Sequence, residues 1–161
     1  MIKEPVTLLD VAGVSPIATA VVAAFEADVD LLPGGAEIHH IGSTALPSGH
    51  TKGDVDVNVR VDEAYFAALV DIFSARFAVA QPENWTSTFA SFSAGGYALP
   101  LGIQLTVIGS SDDFLLALRD RMRADPELLR HYDELKVASA ASGAQAYWEA
   151  KDPFLQALRQ A

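Results

Sequence analysis

The chain has no cysteine, which rules out disulfides and thiolate metal sites and makes the cytoplasm the expected compartment. It is also short of cations, with 11 Lys and Arg against 21 Asp and Glu and a net charge of −10. Phosphate-backbone contacts need an excess of Lys and Arg, so general nucleic-acid binding is not expected. No uninterrupted run approaches the roughly 18 apolar residues of a membrane span, and no membrane association is expected. The start, Met1-Ile2-Lys3-Glu4-Pro5, contains a proline and no continuous apolar stretch, so it does not read as a secretory leader. Internal repeats, low-complexity tracts and long linkers are missing too.

What is present suits one globular domain over residues 1–161, half of it hydrophobic and a fifth charged. The charge is uneven. Residues 1–118 carry 4 basic and 14 acidic side chains, whereas residues 119–161 carry 7 of each. Most cations therefore lie in the last quarter, with Arg119, Arg121 and Arg123 close together.

Ser15-Pro16 reads as a helix N-cap followed by a first-turn proline, and Ile17, Val21, Val22 and Phe25 form a stripe at helical spacing. Strands are predicted over Glu37–Ile41 and Val55–Val61, and Asp62-Glu63 caps a helix carrying Phe66, Leu69, Val70 and Phe73. Further strands are predicted over Thr86–Phe92 and Tyr97–Ile108, the latter disturbed by Pro100 and Gly102. Helices follow over Asp112–Ala124, from Asp125-Pro126, and after Gly143, the last with a break or restart at Asp152-Pro153. Strands in the middle and helices at both ends make the class α+β, a mixed β-sheet flanked by helices with a helical C-terminal part.

The densest chemistry lies in His40-Ile41-Gly42-Ser43-Thr44-Ala45-Leu46-Pro47, followed by Lys52-Gly53-Asp54-Val55-Asp56-Val57. Residues i and i+2 of a strand share a face, so Asp54 and Asp56 project together toward the Gly-Ser turn. Two carboxylates that close are costly without a cation between them. Gly42 permits close backbone approach, and Ser43 and Thr44 offer hydroxyls and amides suited to phosphate oxygens. Asp54 and Asp56 suit Mg²⁺, whose other ligands are usually water and substrate phosphates. Three histidines, His39, His40 and His50, lack the close helical pairing that a zinc site would show. Trp85 and Trp148 read as core or rim packing.

Gly-Ser, ten intervening residues and Asp-x-Asp on an apolar strand resemble the signature of the nucleotidyltransferase superfamily. The His40–Pro47 segment with Lys52 and Asp54, the Leu118-Arg119-Asp120-Arg121-Met122-Arg123 block, Tyr132-Asp133-Glu134-Leu135-Lys136, and Tyr147 with Lys151 resemble the GrpB family in order along the chain. That resemblance implies a nucleotidyltransferase-like fold. It also implies a site for a nucleotide or phosphorylated small molecule, with Asp54 and Asp56 as metal-holding, catalytic candidates. Gly42, Ser43, Thr44, Lys52, Arg119, Arg123 and Lys136 are the candidates for holding the ligand, and Arg119, Arg123, Lys136 and Lys151 are expected to converge on it opposite the aspartates, with inter-helix salt bridges as the alternative for these residues. Some relatives are fused to dephospho-CoA kinase, but this chain has no Gly-x-x-x-x-Gly-Lys-Ser/Thr loop and is not expected to be such a P-loop kinase.

One departure divides the functional reading. Active nucleotidyltransferases usually carry a third carboxylate on a neighbouring strand, where Ile103-Gln104-Leu105-Thr106-Val107 offers Gln104 and no acid. Two readings follow: a metal-dependent nucleotidyltransferase, or a catalytically inactive nucleotide-sensing or protein-interaction module. Asp112 and Glu83 are the acids that a fold would have to bring in from elsewhere.

Overall fold

The computed structural model describes residues 4–160; Met1-Ile2-Lys3 of the leader reading lie outside them. Strand β1 (Leu9–Asp10) leads directly into helix α1 (Val11–Asp28), which starts a turn earlier than Ser15-Pro16 predicts. The Asp10 carboxylate accepts from the Ala12 amide at 2.9 Å and serves as N-cap. Pairing of β1 with β3 (His50–Thr51) holds this end in place. Pro16 then costs one internal amide bond without stopping the helix. The buried stripe is Val11, Val14, Ala18, Val21, Val22 and Phe25, and Ile17 falls outside it, exposed. α1 is long and apolar enough to cross a bilayer by length and composition, and its stripe packs on the sheet.

The main sheet runs in the order β2-β4-β7-β6-β5. Its members are β2 (Glu37–Ile41), β4 (Val55–Val61), β5 (Ala78–Val79), β6 (Phe89–Ala94) and β7 (Leu101–Val107). β4 and β7 are parallel and the other pairs antiparallel. β2 and β4 match their expected limits. β6 and β7 are shorter at their starts, because the Thr86 and Thr88 hydroxyls bind the Asp112 carboxylate at 2.7 and 2.6 Å in a turn, and Pro100 precedes β7.

Strand alternation gives the sheet two unlike faces. Val55, Val57, Val59, Val61, Leu101, Ile103, Leu105 and Val107 point to one side. There they pack with α1 and with Phe66, Leu69 and Phe73 of α2 (Glu63–Arg76). α2 is capped by Asp62 as its sequence predicts. Phe73 meets Phe77 and Phe92 edge-on at 5.4 and 5.7 Å between ring centroids.

The opposite face carries Asp56, Asn58 and Arg60 of β4 alongside Gly102, Gln104 and Thr106 of β7, in register. It faces the helical C-terminal part: α3 (Leu115–Ala124), α4 (Pro126–Ala140) and α5 (Ala144–Gln160). α3 begins later than expected, since Asp112 is committed to the threonines and Asp113 to Arg60 and the Gly109 amide. α5 continues through Pro153 without a break, its next residue, Phe154, stacked on Tyr132 of α4 at 5.6 Å.

Candidate functional site

The site is built where β2 ends, turns and returns as β4. Gly42, at φ +74°, leads into a single 3₁₀ turn, Ser43–Ala45. A β-carbon on Gly42 would stand 2.7 Å from Asp56 Oδ2, and one on Gly102 would stand 2.5 Å from Asp56 Oδ1. Both glycines are therefore required for the Asp56 carboxylate to lie where it does. Asp54, just before β4, is half exposed at 50%. Burial pushes the Asp56 carboxyl above the usual range, against the pull of Lys151, while the charge of Asp54 adds to the upward shift.

Two lysines close the acidic pair from the other side. Lys52 Nζ lies 3.7 Å from Asp54 Oδ2 and 4.7 Å from the centre of the Trp148 ring. Lys151 Nζ, from α5, lies at the same 4.7 Å from that ring, and burial holds it below its ordinary pKa while Asp56 opposes the shift. Ser43, Thr51, Lys52, Asp54, Asp56, Tyr147, Trp148 and Lys151 together line one cleft. A second cavity of about 320 Å³ opens beside it and shares Asp56, Trp148 and Lys151.

Of the residues expected at the site, Gly42, Ser43, Lys52, Asp54 and Asp56 do come together. The others support the turn. Thr44 is buried, with its hydroxyl 2.8 Å from His40 Nε2. Arg119 donates to the His40 carbonyl at 2.9 Å, and Arg123 donates to the Ala45 carbonyl at 2.7 and 2.9 Å. Arg123 lines hollows on the far side of the turn. Lys136 is 2% exposed and donates to Ser43 Oγ at 3.0 Å and to the His50 carbonyl. No carboxylate forms a salt bridge with Lys136 among the described residues, and burial pushes its pKa down to about 8. Its position and bonds make it an internal brace.

Lys151, expected among the cations opposite the aspartates, lines the cleft; Trp148 was not among the expected ligand contacts. Trp148, read as core or rim packing, is 43% exposed and lines both cavities.

Gln104 occupies the expected third-acid position on β7, opposite Asn58 in register. Asp112 is bound to Thr86 and Thr88, and Glu83 lies exposed in a separate 3₁₀ turn, so neither lines the cleft. Among the described residues no three His, Cys, Asp or Glu side chains are grouped to hold a metal. His39, His40 and His50 go to separate partners, Glu37, Thr44 and Asp133. As a donor set, Asp54 and Asp56 suit one oxygen-seeking cation completed by water or phosphate. A two-metal clamp would need further carboxylates. The buried amide oxygens of Asn58 and Gln104 have no hydrogen-bond partner, so this face retains unsatisfied polarity.

The chain is similar to several known proteins. A relative in Vibrio cholerae serotype O1, a UPF0157 protein, is 25% identical over 132 residues, covering 82% of this chain and 70% of its own. The solved structure of the conserved protein GrpB from Enterococcus faecalis superposes at TM-score 0.74 with 19% identity, covering 96% of this chain and 95% of that one. A distant likeness, TM-score 0.46 at 12% identity, extends to the Cid1 poly(U) polymerase bound to MgATP, over 77% of this chain and 43% of that one. Residues 13–161 match the family described as GrpB protein, and the chain belongs to the GrpB family.

Proposed function

We propose that the chain, acting as one cytoplasmic domain, binds a nucleotide or another phosphorylated small molecule between the polar sheet face and α5. Asp54 and Asp56 would hold one Mg²⁺, which would neutralise and orient the phosphates. Lys52 and Lys151 would take the remaining phosphate charge, with Gly42 allowing close approach and Ser43 donating from the turn. Thr44, Arg119, Arg123 and Lys136 would fix the turn behind the ligand.

The observation that carries this reading is the Asp56 carboxylate, seated between two glycines where any β-carbon would strike it and facing two lysines. A solvated acidic strand would need neither glycine. Binding without nucleotidyl transfer is the form that Gln104 favours, since a two-metal reaction lacks its third acid. Transfer by a single metal is the competing reading.

Calorimetry with ATP, with and without MgCl₂, tests binding, and pyrophosphate release tests transfer. Mg²⁺-dependent heat that is lost in Asp54→Asn, with no pyrophosphate formed, is expected. Pyrophosphate release abolished by Asp54→Asn would establish transfer, and absence of binding by any nucleotide or pyrophosphate would overturn the proposal.

A further inference from the structure

The cavity beside the acidic cleft has a different chemistry from the cleft itself. Its body is hydrocarbon: Phe89 comes from the sheet, Phe114, Leu115, Leu118 and Met122 from α3 and the residue before it, and Leu155 from α5. Its polar side chains are Asp56 and Lys151, which are shared with the cleft, together with Gln104, Arg119 and the Tyr132 hydroxyl. Arg119 is already engaged, donating to the His40 carbonyl and pairing with Asp120, and Gln104 keeps a single unpaired amide oxygen. At about 320 Å³ the space is within the range of small-molecule sites.

A nucleobase placed in this cavity would bring several ring nitrogens and exocyclic groups into a wall with few free partners. Each buried polar atom left unpaired is destabilising. An alkyl or prenyl body carries no such cost and gains from leaving water.

Resting on the phosphate-binding reading above, we infer that the preferred ligand is a free phosphate or diphosphate ester of an apolar alcohol. Its anionic head lies at Asp54, Asp56, Lys52 and Lys151, and its hydrocarbon body lies in the Phe89–Phe114–Leu118 cavity. Trp148, at the boundary of the two spaces, separates head from body.

The test compares pyrophosphate, ATP and geranyl diphosphate by calorimetry on the full chain in MgCl₂. Geranyl diphosphate is expected to bind about tenfold or more tighter than pyrophosphate, and tighter than ATP. Leu118→Asn should remove that advantage while leaving pyrophosphate affinity unchanged. Phe89→Ser, on the opposite wall, repeats the test if Leu118→Asn does not melt cooperatively. Geranyl diphosphate binding no tighter than pyrophosphate, with ATP bound, would overturn this inference and leave phosphate binding standing. Failure of all three ligands would overturn both. Co-sedimentation with phosphatidic acid vesicles that geranyl diphosphate does not compete away would assign the cavity to membrane lipid and overturn the free-ester assignment.

Discussion

The two faces of the five-stranded sheet are made by the same strands and have opposite characters. One face buries valine, leucine, isoleucine and phenylalanine under α1 and α2. The other aligns Asp56, Asn58, Gln104 and Thr106 beneath the C-terminal helices and leaves two amide oxygens unpaired. Burying hydrocarbon stabilises a fold, whereas burying unsatisfied polar groups costs it. The first face therefore accounts for much of the stability, and the second carries the polarity on which the proposed ligand site rests.

Substitutions on each face can break or sharpen that contrast. Phe73→Ala removes a fully buried ring from the aromatic cluster and should cost about 3–5 kcal/mol in urea unfolding. Ligand affinity of the folded protein should stay unchanged; a parallel loss of affinity would contradict the separation of faces.

The next largest effect depends on pH and falls at the β2 edge. Burial, with Arg119 and Arg123 adding to it, lowers the His40 pKa from 6.5 to about 4. The folded state keeps His40 neutral, while the unfolded chain takes up a proton below about 6.5. Stability is therefore full above that pH and declines as pH falls from there through 4, by under about 3 kcal/mol because solvent screens the part-exposed ring. His40→Gln should flatten this part of the pH profile in denaturation experiments, and an unchanged slope would assign the acid sensitivity elsewhere.

Gly102→Ala lies on the ligand face. Its β-carbon would meet Asp56 Oδ1 at 2.5 Å, so a cost of about 1–3 kcal/mol is expected from overpacking, together with loss of Mg²⁺-dependent binding. A stable, binding-competent variant would show that Asp56 is not held as described. Asp54→Asn should change stability least, within about 0.5 kcal/mol for an exposed position, and should still abolish Mg²⁺-dependent binding.

Much of this was legible in the sequence where local rules decide. The alternation of β4, the N-caps Asp62 and Asp125, and the Gly42-Ser43…Asp54-x-Asp56 spacing each depend on neighbours in sequence. What was missed depends on distant pairing. α1 starts at Val11, capped by Asp10, because β3 holds β1, and α3 starts late because Asp112 and Asp113 are claimed by Thr86, Thr88 and Arg60. Arg123 and Lys136 carry the charge expected of phosphate ligands, yet their direction is set by carbonyls at Ala45 and His50. Trp148 joins the cleft only because α5 brings it there from the far end of the chain, a convergence that no local spacing encodes.

The two tryptophans report on the two faces separately. Trp85 packs on Phe92 beside the hydrocarbon core at 5.2 Å between ring centroids, and Trp148 lines the ligand cleft. Fluorescence titration with MgATP of Trp85→Phe and Trp148→Phe therefore measures where the ligand sits. The account predicts a saturable change that persists in Trp85→Phe and disappears in Trp148→Phe. A change that disappears in Trp85→Phe and persists in Trp148→Phe would contradict the assignment of the polar face as the binding site.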